Sequence, residues 1–139
     1  MFGALDISTS ALVAQRTNLD VIAGNIAMKD VTRDEAGNPN PYRRRVALFQ
    51  SGDPWRGAGA AGVHVAKIVE DPSPFGLRWD PGHVDAIKEG REKGYVRVSN
   101  VDYQTEMVNA MVAARAYEAN VTVAEMAKRM IGTTLTLLA

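Results

Sequence analysis

The chain has 139 residues, a formal charge of zero from sixteen basic and sixteen acidic side chains, and no cysteine. Its length suits one ordinary domain. The charge balance lacks the Lys/Arg excess that drives nucleic-acid binding, and the missing thiols exclude disulfides and thiolate metal sites.

The first zone, about Ala4 to Met28, has no proline and is predicted to be a helix. Leu5, Leu12, Leu19 and Ile26 recur at every seventh position, and Ile7, Ala14, Val21 and Met28 form a second such row. A seven-residue repeat keeps side chains on one slowly winding stripe, the pattern of coiled-coil packing. Ser8, Thr9 and Ser10 weaken the opening turns, so the helix is expected to start late or to fray. The segment Met1-Phe2-Gly3-Ala4-Leu5-Asp6 shows no basic n-region and no cleavable signal, so any export is expected to leave the N-terminus intact. Apolar stretches throughout fall far short of the ~20 residues that span a bilayer.

The second zone, Lys29 to about Asn100, holds all six prolines and nine of the twelve glycines. Turn signals cut it into short strand-like pieces: Val46–Phe49, Val63–Val69, Leu77–Trp79 and Tyr95–Val98. It is predicted to be a small, irregular β region with long loops.

The third zone, about Asp102 to Leu138, has no proline and only Gly132. Asp102 is placed to cap a helix, and Glu106 lies in the first turn, where the helix dipole favours an anion. Alternating steps of three and four from Met107 give Ala110, Ala114, Tyr117, Val121, Ala124, Lys128, Ile131, Leu135 and Leu138, a row broken by Lys128 alone. A second row runs Val112, Ala116, Ala119, Val123, Met126, Met130, Thr133 and Leu137, without a charge. At roughly 103° per residue the two rows lie about 150° apart. The charged stripe is narrow: Arg115, Glu118, Thr122, Glu125 and Arg129. A helix apolar on nearly opposite faces needs neighbours on both sides. The first helix can cover one face, but the central zone offers few large apolar residues for the other. Each exposed Leu, Val or Ile forgoes roughly 1.5–3 kcal/mol of burial, which favours cover by other subunits.

The patterning therefore predicts an α+β fold, with long heptad-patterned terminal helices forming a coiled-coil-like pair around the β region. The expected division is residues 1–28, 29–100 and 101–139, the outer two making one helical assembly unit. Periodicity alone also fits a two-helix core of a self-contained domain, and a cytosolic coiled-coil adaptor is the alternative function.

Chemistry-bearing residues are sparse. His64 sits in a predicted strand and His83 follows a Pro-Gly turn, with no partner at metal-ligand spacing. Glu70 and Asp71 read as solvated loop charges. Gly57-Ala58-Gly59-Ala60-Ala61-Gly62 lacks the Lys-Ser/Thr of a phosphate loop and reads as a flexible connector. Arg43-Arg44-Arg45 is expected to pair with acidic residues of this chain or of a neighbour. Nothing resembles a nucleophile elbow. No catalytic, cofactor or metal site is expected.

The run from Ser8-Thr9-Ser10-Ala11-Leu12 through Asp20-Val21-Ile22-Ala23-Gly24-Asn25-Ile26-Ala27 resembles the N-terminal motif of flagellar rod and hook axial proteins. Tyr42-Arg43-Arg44-Arg45-Val46, Gly94-Tyr95-Val96-Arg97-Val98-Ser99-Asn100-Val101-Asp102, Glu106-Met107-Val108-Asn109 and Ala113-Ala114-Arg115-Ala116-Tyr117-Glu118-Ala119-Asn120-Val121 are similar to a short proximal-rod member of that family. The likeness covers nearly the whole chain in order. Two departures stand out. Asn25-Ile26-Ala27-Met28 replaces the usual Asn-Leu-Ala-Asn, so a polar contact after the helix is expected to be missing. The stretch Val84 to Lys93 is longer and more charged than the family's usual loop.

The resemblance implies a subunit exported unfolded through the flagellar type III apparatus, without signal cleavage. It would polymerise into the periplasm-spanning rod of the basal body, the drive shaft that carries motor torque to the hook and filament. Implied partners are other copies, sister rod proteins, the rod-base adaptor, the export gate and the surrounding MS ring, with no nucleic acid and no membrane insertion. The side chains expected to pack subunits are Leu5, Leu12, Leu19, Ile22 and Ile26 on the first helix. On the second they are Met107, Ala114, Tyr117, Val121, Ile131 and Leu135, and, on the other face, Val112, Ala116, Ala119, Val123, Met126 and Met130.

Overall fold

A computed structural model describes residues 2–52 and 61–138. Its elements run α1 (Phe2–Met28), β1 (Arg45–Ser51), β2 (Val63–Glu70), β3 (Gly76–Trp79), β4 (Tyr95–Val98) and α2 (Tyr103–Leu138). The fold is α+β, with two long terminal helices and a small β region between them.

Helix α1 begins at Phe2, earlier than its hydroxyl-rich opening suggests. One of those hydroxyls is tied down locally. Ser8 is buried, and the Ser10 hydroxyl donates to the Ile7 carbonyl at 2.7 Å while accepting the Val63 N–H at 3.1 Å. A side chain that usually competes with helix is here tied to the helix and to β2. Gly62, at φ +137°, permits that approach, since a Cβ there would lie 2.9 Å from the Ser10 Oγ.

Helix α2 starts as its sequence dictates. The Asp102 carboxylate accepts the N–H groups of Gln104 and Thr105, satisfying donors that the first turn leaves free. Its 36 residues span about 54 Å, against about 40 Å for the 27 of α1, at 1.5 Å per residue. Asn25, near the end of α1, bonds Glu106 in the first turn of α2, and the helices pack along their length, so they run antiparallel within one chain. The final turns of α2 therefore extend past the start of α1.

Helix α1 is the central element, touching α2 on one side and both β1 and β2 on another. Strands β1 and β2 pair antiparallel from Arg45↔Glu70 to Ser51↔Val63, with a register shift between Leu48 and Phe49. The buried apolar side chains among the described residues are Ala14, Ile22, Ala47, Val96 and Ala113. Alanines on α1, β1 and α2 let these backbones approach closely but bury little apolar surface.

Strands β3 and β4 form a second antiparallel pair, Gly76↔Val98 to Trp79↔Tyr95, and among the described residues they pack on no helix. Loops hold this hairpin in place. Arg33 forms an ion pair with Asp85 at 2.7 Å, and the Thr32 hydroxyl donates to the same carboxylate at 3.0 Å. The Arg43 guanidinium lies 4.3 Å from the Phe75 ring centre and donates to the carbonyls of Asp71 and Ser73. The charged stretch from Val84 to Lys93 thus has an intramolecular anchor in Asp85. The glycine-rich stretch read as a connector lies mainly outside the described residues.

Candidate assembly surface

The two apolar rows of α2 meet different surroundings. On the first row, Ala114, Val121 and Ile131 are half-buried on the side toward α1, whereas Met107, Tyr117 and Leu135 stay exposed. On the second row, Ala116 is half-buried, but Val112, Ala119, Val123, Met126 and Met130 are exposed. Val112 is 64% exposed, Met130 62% and Leu137 81%. On α1, Ile22 is buried and Leu5, Leu12, Leu19 and Ile26 are half-buried. Helix α1 is covered by α2, β1 and β2, and the second row of α2 stays open along most of its length.

The open face is wider than the sequence rows imply. Val108 and Met111 are also exposed. They fall on the row that Arg115 and Glu118 continue, so the charged stripe gives way to apolar residues toward the start of α2. Following that stripe back by steps of three and four would have found them. Its own ion pair, Arg115 to Glu118 at 2.9 Å, is solvent-exposed and of small energetic weight.

A polar cluster lies where α1, β1 and α2 converge. Asn25 and Glu106 are both fully buried. The Asn25 amide group donates to the Arg45 carbonyl at 2.8 Å and to the Glu106 Oε2 at 2.9 Å. Its oxygen accepts the Arg45 N–H at 2.9 Å and the Tyr42 hydroxyl at 3.1 Å. All of its hydrogen-bonding capacity is used. The other Glu106 oxygen takes the Arg44 guanidinium through Nε and Nη2, both at 2.8 Å. Arg44 also reaches Asp71 at 3.1 Å, and its own N–H donates to the Asn100 side chain at 2.8 Å. Burial pushes the Tyr42 phenol up. Glu106 thus carries more than the helix-dipole role that its place in the first turn suggests. The missed signal was its place at the head of the row Glu106, Ala110, Ala113, Tyr117, a lone carboxylate on the face that α1 covers.

A groove of about 720 Å³ lies between α1 and β2, lined by residues including Ser10, Val13, His64 and Ile68. The Ser10 hydroxyl there is already committed to Ile7 and Val63, and the His64 Nδ1 contacts the Gly52 carbonyl at 2.9 Å. The His83 Nδ1 accepts the Asp85 N–H at 3.1 Å. Among the described residues, no three His, Asp or Glu side chains gather as metal ligands, and no helix is long and apolar enough to cross a membrane.

Residues 92–137, which include β4 and nearly all of α2, match the family described as flagellar basal body rod FlgEFG protein C-terminal. The likeness to whole proteins extends further. The flagellar basal-body rod protein FlgC of Borreliella burgdorferi is 39% identical over 150 aligned positions, covering 99% of this chain and 97% of that protein. FlgC of Escherichia coli is 41% identical, with the same coverage, and that of Bacillus subtilis is 41% identical over 94% of this chain and 93% of its own. The chain belongs to the FlgC family. Its FlgC-type sequence places the polar cluster, the α1 rows and the open face of α2 all within the aligned region.

Proposed function

We propose that this chain is a structural subunit of the flagellar basal-body rod, burying the open face of α2 against neighbouring subunits. The observation that carries this reading is the exposed apolar row from Val112 through Val123, Met126 and Met130. Its near full-length kinship with FlgC proteins supports the same conclusion. Each large apolar side chain on that face gains roughly 1.5–3 kcal/mol on burial, and a repeating array multiplies the gain. The residue types also fit close helix packing, since Ala114, Ala116 and Ala119 let axes approach.

In this proposal residues 1–28 and 101–139 form the unit that packs in the rod wall, and residues 29–100 lie outside it. Partners are further copies and sister rod proteins first, then the rod-base adaptor, the export gate and the MS ring. The subunit leaves the cytoplasm unfolded through the flagellar export apparatus and keeps its N-terminus. In the proximal rod it carries torque toward the hook, with no catalytic step.

The test is to delete the chain's gene and restore it with an epitope-tagged copy. The tag is expected in purified basal bodies, and swimming is expected to depend on it. A tag confined to the soluble cytoplasm, with swimming unaffected by the deletion, overturns the proposal and leaves the coiled-coil adaptor.

A further inference from the structure

We propose that Asn25, Arg44 and Glu106 set the register of α2 on α1, acting as a polar pin between two helices whose apolar rows fit in more than one alignment. The inference concerns the single chain and holds whatever that chain assembles into. The row Leu5, Leu12, Leu19, Ile26 repeats every seven residues, and so do the rows of α2. Sliding one helix by seven residues moves it about 10.5 Å and sets like against like. The alanines at the contact give few projections that resist such a slip.

The cluster does not repeat. Seven residues beyond Glu106 stands Ala113, and seven before Asn25 stands Asn18. One slip sets Ala113 against Asn25; the other sets Glu106 beside Asn18, an amide away from the Arg45 backbone and the Tyr42 hydroxyl that fix Asn25. Either slip also parts Glu106 from Arg44, and a carboxylate drawn from its cation loses what offsets its desolvation.

The pin is anchored from outside the helices. Asn25 is fixed to both backbone groups of Arg45, at 2.8 and 2.9 Å, at the start of β1. Arg44 is held by Asp71 at 3.1 Å, and its N–H by Asn100 at 2.8 Å. The central region therefore fixes the helix alignment that the helices leave ambiguous, and with it the height of the open face of α2. A buried ion pair is weak evidence for stability, and setting register is its best-attested use.

The absence of cysteine makes thiol cross-linking a clean measurement on the full-length chain. Asn18 and Val112 line the same cleft between α1, β1 and α2, so Asn18→Cys with Val112→Cys reports the native register. Asn18→Cys with Ala119→Cys, or with Thr105→Cys, reports a slip of one heptad in either direction. With the pin intact, a short thiol-to-thiol reagent is expected to favour the native pair by at least about tenfold, in keeping with the penalty of an unpaired buried charge. In the combined variant Asn25→Leu, Arg44→Met and Glu106→Leu, helix content is expected to persist while native and slipped pairs link to similar extents. Glu106→Ala, which leaves Arg44 its Asp71 partner, serves as a second variant and is expected to shift the yields the same way. Native-only linking in either variant with retained helix content overturns the proposal. Loss of helix content in both also overturns it, because the cluster is then a requirement for folding and not for register.

Discussion

Two loop carboxylates make the chain sensitive to acid. Asp71 accepts the Ser73 hydroxyl at 2.6 Å and the Ser73 N–H at 2.9 Å, and, with Arg44, these hold its carboxyl at about 2, below the ordinary 3.8. The hydrogen bond from Arg33 is the main cause of a lowered Asp85. Because both folded values lie below the ordinary carboxylate value, the stability they contribute is complete above it and is lost as pH falls through it toward the folded values. The urea midpoint is expected to drop as pH is lowered from about 4 toward about 2, and less steeply in Asp71→Asn. An Asp71→Asn chain with the parent's pH slope would contradict this. Gly94 gives a second residue-scale test. It holds φ +85°, and a Cβ there would meet the Trp79 ring at 2.6 Å. Gly94→Ala is expected to destabilise the β3–β4 hairpin by at least about 1 kcal/mol, combining backbone strain with the clash. Trp79 fluorescence during thermal unfolding, in a Trp55→Phe background, reads it, and an unshifted hairpin transition would show that the close approach carries no weight.

The two faces of α2 predict separable effects. Ala116 is half-buried within the chain, whereas Ala119 is exposed on the open face. Leucine at a close helix contact typically destabilises by ~1–3 kcal/mol. Ala116→Leu should therefore lower both the melting temperature of the isolated chain and swimming. Ala119→Leu should spare the melt and impair swimming, since its added bulk meets only neighbours. Glu118→Ala removes an exposed ion pair and should change neither appreciably. Normal swimming of Ala119→Leu cells alongside a defect in Glu118→Ala cells would reverse the assignment of the faces.

At the scale of the whole molecule, cover is uneven. It is densest where Ile22, Ala47 and Ala113 meet, and it thins toward Leu135 and Leu137, where α2 runs on beyond α1. Local opening follows the density of buried contacts. Amide exchange in the isolated chain should be slowest near Ile22 and Ala113 and fast over the last turns of α2. In purified basal bodies the protection should extend through Met126, Met130 and Leu135. Equal protection of the last turns with and without assembly would argue against burial by neighbours.

Much of this architecture was legible in the residues themselves. Two proline-free zones with seven-residue rows made the helices readable, because a repeat close to the helical period is a local property of the chain. The turn-bounded β pieces and the Asp102 cap were readable for the same reason. The double apolar character of α2 already implied neighbours on two sides. What only the tertiary structure decided was pairing. Heptad rows bury equally well within a chain or between chains, so the antiparallel contact of α1 with α2 had no signature in the spacing. Nor did the meeting of Asn25, Arg44 and Glu106, which stand 19 to 81 residues apart in sequence. Hydrogen bonds of that range are fixed by where the folded backbone carries each group, not by the neighbours each has along the chain.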